Sequence, residues 1–180
     1  MTATIKVDMG KEQVKLLSFL GAVIIGTFLG ALVVVTGSSA SRGASTSGHE
    51  VLMEVAVAGF QGSIVALVAA VLIWFPTYRF ISGKLRLALQ LPAMMTSGAA
   101  TAVPVAIADA ALNLNPGFTG IWAVYTFFAG IWSASVAWLL VTVMSLGSSK
   151  LHYVRWVGFV VLAAGALAFG LHAVAEKSWV

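Results

Sequence analysis

The stretch that decides the fold is LALQLPAMMTSGAATAVPVAIADAALNLN, residues 87–115. From Leu87 to Leu112 it holds no Lys, Arg or Glu, and at about 1.5 Å per helical residue that run is long enough to cross a bilayer. The same run contains Gln90, Pro92, Thr96, Ser97, Thr101, Pro104 and Asp109. A polar group facing hydrocarbon without a partner costs several kcal/mol, so this segment requires protein or water around it. It is expected as the central helix of a bundle. Residues four apart form two ridges, Ala93, Ser97, Thr101, Val105 and Asp109 beside Met94, Gly98, Ala102, Ala106 and Ala110, whose small side chains let partner backbones approach closely. Pro92 and Pro104 are expected to kink the helix or break its hydrogen-bond ladder.

Working outward, the whole chain shares this character. It is 60% hydrophobic and 9% charged, with a mean hydropathy of +1.00. A soluble domain carries roughly a quarter charged residues, so this is a polytopic membrane protein. The absence of cysteine excludes disulfides, thiolate metal sites, iron–sulfur clusters and cysteine nucleophiles.

The apolar runs predict an all-α bundle of five transmembrane helices in a single domain, over 16–35, 51–75, 87–112, 118–146 and 153–175. The first run resembles a signal peptide in its charge-then-apolar order, but 20 residues is long for a signal core, so a spanning helix is expected. Its Gly26-x-x-x-Gly30 pair offers a flat face to a neighbour, and Ala129 and Ser133 begin a similar seam in the fourth helix. Residues 37–48, rich in Ser and Gly, read as a flexible loop, and Asn113 to Gly117 as a turn.

Five crossings place the two termini on opposite sides. Of the 10 basic residues, Lys6, Lys11, Lys15, Arg79, Lys84, Arg86, Lys150 and Arg155 fall on one side, leaving Arg42 and Lys177 on the other. The positive-inside rule then predicts a cytoplasmic amino terminus and an external carboxyl terminus, in what is expected to be a prokaryotic cytoplasmic membrane. The net charge of +4 reads as this orientation signal rather than as a nucleic-acid surface.

The same topology gathers His49, Glu50, Glu54, Asp109, His172 and Glu176 near the external face. Imidazole and carboxylate together are ligands for a divalent transition metal or relays for protons. Against the metal reading, such residues are ordinary at helix ends, and no tight motif such as His-Glu-x-x-His occurs. A haem between His49 and His172 would need both ligands at matching depth. Asp109 with Gln90, Ser97, Thr101 and Glu54 defines a candidate ion path, while the simpler reading has Asp109 capping the loop that follows it. No Ser–His–Asp set or phosphate-binding loop is present, so no enzyme is expected, and no cofactor is named.

Two functions remain from the sequence. One is a non-enzymatic subunit or scaffold of a larger membrane complex, favoured by packing seams on Gly26, Gly30, Gly98, Ala102, Ala129 and Ser133. The other is a small channel or transporter, possibly homo-oligomeric, built on Asp109 and the proline-broken third helix. The expected partners are the lipid bilayer and other membrane chains or copies of this one.

Overall fold

The computed structural model describes residues 16–42, 47–112, 120–145 and 151–177. Among these there are no strands, and five stretches are long and apolar enough to cross a membrane. The chain is therefore an all-α bundle and an integral membrane protein.

Helix α1 (Leu16–Arg42) outruns its apolar core. The sequence predicts a loop from Gly37, but the helix continues because the hydroxyls turn back onto it. Thr36 Oγ1 donates to Leu32 O at 2.6 Å, and Ser38 and Ser39 both donate to Val35 O, at 2.9 and 2.6 Å. A hydroxyl satisfied by its own helix no longer competes with the backbone ladder.

The second span is also longer than expected. Helix α2 (Gly48–Ala69) runs through a π-helical turn (Ala70–Trp74) into α3 (Phe75–Ser82), a continuous 35 residues. Pro76 ought to stop it. Instead, the Phe75 N–H bonds to Ala70 O, five residues back, and this widened turn absorbs the proline just after it. At about 52 Å such a helix exceeds a hydrocarbon core of roughly 30 Å, so it tilts or projects beyond the core.

The third span is two helices, α4 (Leu87–Ala100) and α5 (Ala102–Leu112), joined at Thr101, three residues before Pro104. Pro92 lies within α4 without ending it. The fourth and fifth spans are α6 (Ile121–Ser145) and α7 (Leu151–Lys177).

The third span is not the centre of the bundle. That place belongs to α1, which packs against α2, α6 and α7, whereas α4 and α5 pack mainly on α6, with α4 also reaching α3 and the π turn. The polar residues that make the third span look central are met by its own backbone, by the start of α6 and by Trp138 of α6 rather than by a surrounding ring.

The tightly packed core lies toward the end that carries Arg79 and Arg155. Phe19, Trp74, Tyr78, Met94, Trp138, Val141 and Val154 are buried together there. The Phe19 ring lies 5.5 Å from Phe75 and 5.4 Å from Tyr78, which ties α1 to α3. Toward the other end, where α2 begins and α7 finishes, the helices α1, α2 and α7 line a cavity that is open to the outside.

Candidate functional site

That cavity is built from the start of α2. Ser47 caps the helix: its Oγ accepts from the Glu50 N–H at 3.3 Å, and Glu50 Oε2 accepts from the Ser47 N–H at 2.9 Å. This reciprocal pair is a capping box, and it fixes where the helix starts and hence which way its next residues point. The sequence carries the signal, Ser47-Gly48-His49-Glu50, at the end of a serine-rich run whose composition alone reads as loop.

The cavity has a volume of about 560 Å³ and is lined by Val35 of α1, by His49, Glu50, Met53, Glu54, Val57, Ala58 and Gln61 of α2, and by His172 of α7. Thus the structure brings His49, Glu50, Glu54 and His172 to one space. Among the described residues, no three His, Asp or Glu side chains are grouped so as to hold a metal ion. Glu50 is engaged by the helix cap, and Glu54 and His172 each have a partner within the chain. The Glu176 side chain lies outside the described set.

Asp109 does not line this cavity. It is 1% exposed at the far end of α5, and its Oδ2 accepts from the Gly120 N–H at 2.6 Å. Gly120 precedes α6, has φ +92°, and its carbonyl accepts from the Val124 N–H. The carboxylate therefore sits at the amino end of α6, where the helix dipole favours negative charge. Its Oδ1 is buried without a hydrogen-bond partner. The clasp spans eleven positions, across residues 113–119, where the predicted turn lies outside the described residues.

Gln90, Ser97 and Thr101 belong to the same third span and are likewise buried. Trp138 Nε1 donates to Gln90 Oε1 at 3.1 Å, and Gln90 Nε2 donates to Leu85 O at 3.0 Å. Thr101 Oγ1 donates to Gly98 O at 2.6 Å, while Ser97 Oγ is buried without a partner. At Gly98 and Gly130 the backbones of α4 and α6 touch, so that a methyl on either would overlap the other's carbonyl oxygen. No space is left between α4 and α6 at that crossing. Glu54, the fifth residue of the candidate ion path, faces the cavity on the α2 side instead.

Gly26 faces Ser133 O and Val136, and Gly30 faces Trp132, whose Nε1 donates to Gly26 O at 3.0 Å. Ser133 Oγ lies 3.3 Å from Thr27 Oγ1. Ala102 is half-buried at the start of α5. Ala129, by contrast, is exposed, and its neighbour Gly130, a rotation of about 100° around the helix, takes the crossing. Two further crossings were not singled out from sequence. One is Gly21 against Gly158, and the other is the Phe28 ring held between Gly59 and Gly165. An isolated glycine pairing with another more than a hundred residues away leaves no local signal.

The opposite end is basic and aromatic. Lys84 Nζ lies 4.0 Å from the Phe80 ring centroid, Arg155 lies over Trp156, and Trp156 Nε1 donates to His152 Nε2 at 2.9 Å. Interfacial Trp, Tyr and cationic side chains of this kind mark where a membrane helix meets the headgroups.

Comparison of the chain with family models, with curated proteins and with solved structures finds no match in any of the three.

Proposed function

We propose that the protein is a non-enzymatic membrane subunit that receives a spanning helix of another membrane protein on its α4–α5 limb. The observation that carries this reading is a row of small residues on the outward side of the third span, whose polar side chains Gln90, Ser97, Thr101 and Asp109 are turned inward. The outward row is Thr96, Ala100, Pro104, Ala108 and Ala111, one side of the limb at helical spacing. Small residues in register let a second helix approach closely, and membrane helices gain their association from such packing. The same row gives lipid chains little to pack on. By the positive-inside rule, the end carrying Arg79, Lys84, Arg86 and Arg155 faces the cytoplasm.

Because the chain has no cysteine, single cysteines at Ala100 and Ala108 are clean probes. In native membranes both variants are expected to crosslink to a second, different polypeptide, and a control cysteine at the lipid-exposed Leu167 is not. Crosslinking only to copies of the same chain would replace the partner with self-assembly. No crosslink, together with a stable monomer in mild detergent, would sink the docking reading.

A further inference from the structure

We propose that the α1–α2–α7 cavity binds an organic ammonium group carrying an apolar body. The inference is independent of the α4–α5 limb, since neither α4 nor α5 contributes to the cavity wall. It rests on the shape and lining of the space. About 560 Å³ is the size of an ordinary small-molecule pocket, and such pockets pair apolar walls with a few placed polar groups. Here the apolar wall is Val35, Met53, Val57 and Ala58, and the polar groups are Glu50, Glu54, Gln61, His49 and His172.

The sign of the charge selects the ligand. Among the described residues, the lining holds two carboxylates and neither lysine nor arginine. A carboxylate has room for several hydrogen bonds, so one already used in a helix cap or with a neighbour still accepts from an ammonium, as do neutral imidazoles and the Gln61 carbonyl. From His49 to Gln61 the cavity follows α2 for about 18 Å, well into the apolar span. An exposed amide at that depth is expensive against hydrocarbon and inexpensive beside a polar ligand or water. Low-dielectric walls also strengthen the attraction between Glu54 and a cation.

The shared chemistry fits a soluble amine or the amine of a lipid headgroup, and the test separates them. Purified protein in nanodiscs of an uncharged glycolipid is titrated with dansylcadaverine, a primary ammonium on an apolar fluorophore, with its neutral acetylated form and protein-free discs as controls. Saturable binding of the ammonium form alone is expected. Glu54→Gln should weaken it about tenfold, and Gln61→Glu, which adds a carboxylate to the wall, should tighten it about threefold. If discs containing phosphatidylethanolamine compete with the probe, the occupant is a headgroup; if they do not, it is a free solute. Equal binding of the acetylated form, or affinities unmoved by both substitutions, would overturn the proposal.

Discussion

Gln90 and Glu54 are both polar residues inside apolar spans of one bundle, and their surroundings are opposite. Gln90 is 2% exposed, with its carbonyl accepting from Trp138 and its amide donating to Leu85. Glu54 is half-buried and looks into a cavity that it shares with three other titratable side chains. In the α4–α6 seam, the Gln90–Trp138 bond ties two helices together away from open space. Around the α1–α2–α7 cavity, polarity is gathered beside open space. An ionisable or polar residue in a membrane helix is a functional candidate by default, and what distinguishes the two regions is whether open space adjoins the polar group.

If the seam is structural, damage there should unfold the protein while damage at the cavity does not. The largest effect is expected at Gly98. Its added atoms would meet the Gly130 backbone, which cannot swing away, so Gly98→Val should cost about 3 kcal/mol or disrupt assembly altogether. Gly37→Val, where a side chain meets nothing, should change stability by no more than about 0.5 kcal/mol. Unfolding curves in mild detergent compare the two, and equal losses would remove the close crossing from the account.

The next effect tests the Gln90–Trp138 bond. Gln90→Leu leaves the buried indole N–H without an acceptor, and Trp138→Phe leaves the amide carbonyl without a donor. Each should cost about 1–3 kcal/mol, because an abandoned buried partner pays the full desolvation. The double variant should be more stable than the sum of the two, with a coupling of about 1 kcal/mol. Additive losses would mean that the bond contributes nothing beyond packing.

How much of this was readable in the sequence depends on which interactions are local. Runs of apolar residues disclose spans, because the bilayer acts on composition, and the five stretches emerge from that alone. Where helices end is decided by hydrogen bonds a turn away. The Thr36, Ser38 and Ser39 hydroxyls prolong α1, and the π turn carries α2 through Pro76, although both places look like stops. Which helix is central is decided by which faces meet. Polar content pointed to Leu87–Leu112, but Gly21, Gly26, Phe28 and Gly30 make α1 the hub through contacts far along the chain. The grouping of His49, Glu50, Glu54 and His172 followed from counting crossings. That they share a cavity while Asp109 does not required the packing.

Asp109 supplies a smaller effect that bears on the alternative reading of the protein as a channel or transporter. Asp109→Ala should cost about 1–2 kcal/mol, since the Gly120 N–H loses its acceptor and the start of α6 loses a favourable charge. Asp109→Asn keeps an acceptor oxygen and should cost about 0.5 kcal/mol. In liposomes, proton or cation flux that disappears in the Asn variant while the fold survives would return Asp109 to the transport path, and the seam would then be more than structural.

The smallest effect is expected at Glu54, and it separates the two regions most cleanly. Its carboxylate is only half-buried and belongs to no close helix crossing, so Glu54→Gln should shift unfolding by no more than about 0.5 kcal/mol. A residue with a structural role at a helix–helix contact would behave like Gln90, with a loss several times larger. A carboxylate retained for a ligand behaves the other way: little change in the unliganded protein, and a clear loss of the stabilisation that added ligand confers, since a ligand stabilises only in proportion to its binding to the folded state. Unfolding of both proteins with and without dansylcadaverine measures that difference directly. A large loss of stability in the absence of any ligand would make Glu54 another structural contact and leave the cavity without its distinguishing residue.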